Sequence, residues 1–122
     1  MVWEFSDDRP IYMQIIEHIQ RGIVSGVYPP GSGMPSVRVL ALEAEVNPNT
    51  MQRALAELES MGLLNTQRAS GRTVTKDGSM VDKLKKELAN AHISNYFTGM
   101  NTIGIEKEDA VNMLSKAAGE VK

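Results

Sequence analysis

The chain has 122 residues, of which 42% are hydrophobic and 23% charged, and its formal net charge is −2. This composition is typical of a soluble globular domain with an appendage. The absence of cysteine excludes disulfides, zinc fingers and thiol chemistry, and His18 and His92 are too few for a histidine-rich metal site. No apolar run reaches the ~18 residues of a membrane span, and the acidic N-terminus is unlike a signal peptide, so we expect a cytoplasmic protein without membrane contact.

The first predicted element is a long amphipathic helix that begins at Pro10 and ends at Gly26. Its apolar positions recur every four residues, at Ile11, Ile15, Ile19 and Ile23. Residues 1–9 form an arm whose Trp3 we expect to pack against the domain or a dimer partner; stacking on a ligand or on DNA is the alternative. His18 is predicted to be structural, and residues 28–35 to be a connecting loop.

A helix-turn-helix is predicted over residues 35–62. Ser36 is the expected N-cap of its first helix. Asn47 suits the N-cap of the second helix, with Pro48 at the first helical position and Gly62 just past the end. The second helix of such a motif enters the major groove of DNA. The outward side chains of this helix can form hydrogen bonds with the edges of bases. We therefore predict that the following residues read bases: Asn49, Thr50, Gln52 and Arg53.

A hairpin follows, because residues 63–67 and 72–75 have strand composition and flank a turn that contains Gly71. A structural hairpin needs the glycine but does not need Arg68 and Arg72 at both ends. These two arginines suit a contact with phosphates or with the minor groove. The hairpin is therefore predicted to be the wing of a winged helix-turn-helix domain.

Residues 35–38, 46–50, 52–55 and 58–63, in this order and spacing, resemble the GntR family of bacterial transcription regulators, and the short tail resembles its YtrA-like branch. The resemblance implies that Arg38 contacts DNA, in addition to the polar residues predicted on the second helix. Ser36 and Asn47 are expected to cap first and to contact the DNA backbone second. Two positions of the wing depart from the family pattern, which has a second glycine where Ala69 stands and an aromatic residue where Thr73 stands.

A helical tail is predicted for residues 77–122. It begins in a polar boundary segment, residues 76–79, whose last residue, Ser79, is the expected N-cap of the first tail helix. Its helices are predicted over residues 80–98 and 106–118, with a turn at 99–104. Two short helices cannot bury both apolar faces alone, so these faces pack on the winged domain or on a second chain. We expect dimerisation through the following residues: Val81, Leu84, Leu88, Ala91, Tyr96, Phe97, Val111 and Leu114.

The sequence thus predicts a mainly α-helical protein with a small β-hairpin, in which residues 1–76 form the winged domain and residues 77–122 the dimerisation tail. The predicted function is repression of transcription by a homodimer on an inverted-repeat operator. The alternative is a winged-helix module that binds proteins and not DNA. No catalytic residues, metal site or cofactor are predicted. A dedicated small-molecule domain is also not expected, although Tyr96 and Phe97 are the natural lining of an effector pocket if the tail has one.

Overall fold

The computed structural model describes residues 2–67 and 71–120. Its elements are, in chain order, α1 (Ile11–Ser25), α2 (Val37–Ala44), α3 (Pro48–Ser60), β1 (Leu64–Gln67), β2 (Gly71–Val74), α4 (Gly78–Thr102) and α5 (Lys107–Glu120). The predicted fold class, mainly helical with one small hairpin, is confirmed. The chain divides between Leu84 and Lys85 into two compact units, which we call the winged unit and the tail unit. No described helix has the length and hydropathy that a membrane crossing requires.

Helix α1 supplies one side of the core of the winged unit. It follows Pro10 and ends at Gly26, where a φ of 86° places the backbone in the left-handed region that favours glycine. Ile15 and Ile19 are fully buried on its inner face. The helix packs against α3, and both predicted ends are confirmed.

The N-terminal arm docks on α1 through a buried glutamine. Gln14 Oε1 accepts a hydrogen bond from the Ser6 amide at 2.8 Å, and Gln14 Nε2 donates to the carbonyls of Ser6 and Arg9 at 2.9 and 2.8 Å. The Trp3 ring stacks on the imidazole of His18 with 3.7 Å between ring centroids. The arm therefore packs against its own domain, which confirms the first of the two expectations for it.

The helix-turn-helix forms where it was predicted. Ser36 Oγ accepts a hydrogen bond from the Val39 amide at 3.2 Å, and Pro48 occupies the first turn of α3. The turn between the two helices places Glu45 at a φ of 57°, and its amide donates to the carbonyl of Leu42. Both helices direct apolar residues into one buried cluster, whose members from α2 and α3 are Leu40, Ala41, Ala44, Met51, Ala54, Leu55 and Leu58.

The wing pairs β1 with β2 in antiparallel register, with Leu64 opposite Val74 at the buried end and Gln67 opposite Gly71 at the tip. The loop after α1, predicted to be only a connector, pairs with β2 through an isolated antiparallel bridge between Gly33 and Thr73. The Gly31 amide donates to the Val74 carbonyl at 2.9 Å, and the Met34 amide donates to the Arg72 carbonyl at 2.8 Å. The sequence interpretation missed this pairing because a loop rich in glycine and proline has no strand periodicity.

The tail begins and ends differently from the prediction. Asp77, and not Ser79, caps α4, because its carboxylate accepts hydrogen bonds from the amides of Ser79 and Met80. The helix then continues to Thr102, so the predicted turn at 99–104 is wrong in its first residues. The chain reverses at Gly104, where φ is 82°. A glycine alone does not end a helix, and the helical hydrogen bonds extend past Gly99.

The first turns of α4 belong with the winged unit, since Met80, Val81 and Leu84 pack against its core. The predicted domain boundary between residues 76 and 77 stays a prediction.

Candidate nucleic-acid interface

The N-terminal turns of α3 present a polar surface opposite the core. Asn47 Oδ1 accepts a hydrogen bond from the Asn49 amide at 2.7 Å, so the predicted cap is present and its side-chain oxygen is already used. Met51 and Leu55 face inward and are fully buried. The predicted base-reading residues lie on the other side, half-buried at Thr50 and exposed at Asn49, Gln52 and Arg53. The helix therefore has the two faces that a recognition helix requires.

Arg53 does not extend freely into solvent, because its guanidinium carbon lies 3.6 Å from the centroid of the Tyr12 ring. At this distance the cation is attracted by the face of the aromatic ring. Tyr12, on α1, and Arg53, on α3, also line a cleft of about 430 Å³ together with Asn49 and Thr50. The sequence interpretation gave Tyr12 no role in this surface, since no local pattern indicates a contact between distant helices.

A second cleft, of about 520 Å³, lies between the N-terminus of α2 and the wing. The N-cap Ser36 and Arg38 of α2 line it on one side, and Gly71 and Arg72 line it from β2. Arg38 is exposed, and the first amides of α2 add the partial positive charge of a helix N-terminus. Two arginines and a helix start around one cleft form a surface that attracts anions.

The wing is tied to the end of α3 by a small polar cluster. Glu59 Oε1 pairs with Arg72 Nε, and Glu59 Oε2 accepts a hydrogen bond from Thr66 Oγ1 at 2.7 Å. The hydrogen bond from Thr66, which is the largest effect, holds the pKa of the Glu59 carboxyl below its usual range; burial opposes it, and the hydrogen bond and charge of Arg72 add to the lowering. The sequence interpretation missed Glu59, because an acidic residue on a DNA-binding helix has no evident role in sequence.

Of the other two predicted wing residues, the structure describes Gly71 but not Arg68. Gly71 begins β2 with a φ of 75°, which explains the need for glycine at the end of the tip. Arg68 lies outside the described residues, and its predicted DNA contact stays a prediction.

The predicted dimerisation residues fall into three groups. Val81 and Leu84 are half-buried against the core of the winged unit. For these two residues, the structure shows packing on the winged domain, which was one of the two predicted alternatives. Tyr96 and Phe97 are half-buried within the tail unit, where the Tyr96 hydroxyl donates to the Ala110 carbonyl at 2.6 Å. The others are half-buried or exposed in the single chain: Leu88, Ala91, Val111 and Leu114.

Comparison with known proteins gives a consistent match to this architecture. The family model described as "Bacterial regulatory proteins, gntR family" matches residues 11–74, from α1 to β2. The HTH-type transcriptional repressor YtrA of Bacillus subtilis (strain 168) is 32% identical over 123 residues, which cover 93% of this chain and 88% of that protein.

Solved structures with the same fold extend the comparison. A GntR family transcriptional regulator from Listeria monocytogenes aligns with a TM-score of 0.83 and 39% identity, over 92% of this chain and 98% of that one. AraR(DBD), solved in complex with operator ORX1, aligns with a TM-score of 0.56 and 27% identity, over 62% of this chain and 99% of that one.

Proposed function

Since this chain belongs to the gntR family of bacterial regulatory proteins, we propose that it is a sequence-specific DNA-binding repressor that acts as a homodimer on an inverted-repeat operator. The family consists of transcription regulators, so the chain is a regulator and not an enzyme. The proposal rests on one surface of the winged unit. This surface consists of the polar N-terminal turns of α3 and of the neighbouring cleft, which is lined by Arg38, Arg72 and the start of α2.

In the proposed complex, the side chains on α3 read bases in the major groove. Gln52 is suited to a bidentate contact with adenine and Arg53 to one with guanine, and each good pair contributes about 1–3 kcal/mol of discrimination against the wrong base. Asn49 and Thr50 complete this reading surface. Asn47 uses its side-chain oxygen as a cap, and its side-chain NH2 group remains as a donor to a phosphate of the DNA backbone.

The phosphate contacts come from the cleft beside α2. Arg38 and Arg72 supply charge, Ser36 supplies a hydroxyl, and Gly71 allows the wing tip to approach the DNA closely. Arg68, which precedes Gly71 in the sequence, is assigned to the same role. These contacts fix the position of α3 on the duplex and make binding sensitive to salt.

The related proteins support this proposal at the level of DNA binding and repression. AraR(DBD), which shares the fold, was solved with its operator. The relative from Bacillus subtilis is described as a repressor, and it is similar along 93% of the chain, tail included.

The tail supports the homodimer. Its α5 helix exposes Val111, Met113 and Leu114, each at about half of its accessible surface, and Ile103 is 71% exposed between the helices. A second tail would cover such side chains, and two-fold symmetry would place two recognition helices about 34 Å apart on one face. An inverted-repeat operator follows from that symmetry.

Selection of duplexes from a random-sequence pool tests the proposal directly. The full chain should enrich an inverted repeat with half-sites about one DNA turn apart, bind it in a gel shift and lower expression from a promoter that contains it. Arg53→Ala should relax the preference at one base position of each half-site. Val27→Ala, at an exposed position of the winged unit, serves as the matched control.

A chain that enriches no sequence and binds duplex DNA without salt dependence overturns the proposal. The protein-binding alternative then becomes the favoured function.

A further inference from the structure

Glu59 is an acidic residue on the recognition helix, where a negative charge opposes the approach of DNA. From its contacts we infer that Glu59 is a positioning residue for DNA binding, which holds the wing arginine Arg72 in the orientation that meets a phosphate. This inference rests on the proposed function and adds to it a residue outside the DNA-contact surface.

Both strands of the wing converge on the Glu59 carboxylate. Thr66 of β1 and Arg72 of β2 are direct partners in the antiparallel register. Each of them bonds to a different oxygen of the same carboxylate, Thr66 at 2.7 Å and Arg72 through Nε. One side chain in the last turn of α3 therefore sets how the hairpin lies relative to the helix that reads the bases.

The geometry leaves the outer part of the guanidinium available. Arginine has five N–H donors in a planar fork, and Glu59 uses the one on Nε. Within the described part of the chain, the terminal nitrogens of Arg72 donate to no protein acceptor, and the residue lines the cleft that also contains Arg38. A guanidinium held through Nε presents its two terminal nitrogens together, which is the arrangement for a bidentate contact with a phosphate.

Burial of the pair supports a fixed orientation. The side chains of Arg72 and Glu59 retain 19% and 29% of their accessible surface, so both are partly withdrawn from water in the free protein. A side chain that is ordered before binding loses less conformational freedom when DNA arrives, and binding is stronger for that reason.

Positioning and simple electrostatics make opposite predictions for the same variant. If Glu59 only adds negative charge, its removal makes the DNA-binding surface more positive and strengthens DNA binding. If Glu59 positions Arg72, then Glu59→Ala should weaken binding by about 3- to 10-fold, because Arg72 and the wing must be ordered during association.

The test measures affinity of the full chain for the duplex that the wild type selects, at two salt concentrations. Glu59→Gln keeps an oxygen for Arg72 and a donor for Thr66, and it should retain the wild-type affinity within about 2-fold. Glu57→Ala is the matched control, since it removes the same charge from an exposed position on the same helix, and it should bind unchanged or slightly more tightly.

A second pair of measurements separates positioning from loss of folding. Thr66→Val removes the other anchor of the carboxylate without changing any charge, and it should weaken binding in the same direction as Glu59→Ala. In an Arg72→Ala background, Glu59→Ala should have no further weakening effect, because the residue acts through Arg72.

Three outcomes overturn the inference. Glu59→Ala can bind as well as the wild type or better, or it can weaken binding equally with and without Arg72; in both cases the wild type still binds its operator and the proposed function stands. A wild-type chain without affinity for any duplex overturns the proposed function, and this inference with it.

Discussion

The winged unit and the tail unit differ in what they do with their apolar residues. The winged unit buries a continuous cluster in which Ile15, Leu40 and Leu55 are fully inaccessible. Along the described length of α4 no residue is buried, and in α5 Ala110 is buried whereas Leu114 is 51% exposed. Because burial of apolar surface is the main source of stability, we expect the winged unit to fold by itself and the tail unit to depend on a partner.

Removing the tail unit should have the largest effect on DNA binding. A chain that ends at Lys86 keeps Met80, Val81 and Leu84, which pack on the winged core. It should fold, sediment as a monomer and bind the operator about 10²–10⁴-fold more weakly, since the second docking event is no longer intramolecular. Analytical ultracentrifugation and gel shift measure the two parts of this prediction.

A single substitution provides the control for this truncation. Leu114→Asp in the full chain should also give a monomer, because it places an unpaired charge in the proposed tail interface. Val27→Asp, at a position of the winged unit that is equally exposed at 51%, should leave the dimer intact. Dimers of the truncated chain would locate the interface in the winged unit and remove the distinction between the two units.

The next largest effect is expected on stability, when a side chain in the core of the winged unit is shortened. Leu58→Ala removes a fully buried side chain and should lower the free energy of unfolding by about 2–5 kcal/mol in urea titrations. Leu42→Ala, at a position that is 79% exposed on α2, should change it by less than about 0.5 kcal/mol. Equal losses at the two positions would mean that the core does not determine stability as described.

A buried histidine should make the winged unit sensitive to acid. Burial, followed by the nearby Arg21, holds the pKa of His18 below its ordinary value, and its Nε2 has no hydrogen-bond partner among the described residues. The folded state therefore disfavours the proton. The stability contributed by neutral His18 is present above about pH 6.5 and is lost as the pH falls through the lower pKa of the folded state.

Thermal unfolding between pH 7 and pH 5 tests this sign. His18→Phe preserves a ring for Trp3 to stack on, and it should reduce the loss of stability on acidification. His92→Gln changes the exposed histidine of the tail unit and should leave the pH dependence as it is in the wild type. An unaltered pH dependence in His18→Phe would show that His18 does not contribute to the acid response.

The smallest expected effect concerns the contact between α1 and α3. Tyr12→Leu removes the ring beneath Arg53 and should cost about 0.5–1 kcal/mol of base discrimination at the Arg53 position, whereas Tyr12→Phe should retain it. Competition gel shifts with single-base variants of the operator measure this difference. If the leucine and phenylalanine variants discriminate equally, the ring does not orient Arg53.

Much of the winged unit could be predicted from sequence because its signals are local. Ser36 and Asn47 cap helices through hydrogen bonds that span two or three residues, and Gly26 ends α1 with a backbone angle that other residues rarely adopt. The helical spacing of the apolar residues in α1 and α3 can likewise be recognised from each segment alone. These features determined the helix-turn-helix, the hairpin and the polar face of α3.

The start of the tail was predicted less well, although its signals are also local. Ser79 and Asp77 are both good N-cap residues, and only the backbone path decides that Asp77 accepts the amide hydrogen bonds of α4.

The tertiary structure alone decided the contacts between elements that are distant in the chain. Tyr12 contacts Arg53, Glu59 bonds to Thr66 and Arg72, and the loop at Gly31 pairs with β2, each between separate segments of the chain. Sequence spacing determines which residues share the face of one helix, because the helix repeat is constant. It does not determine which faces of two helices meet, because that depends on the packing of the whole core.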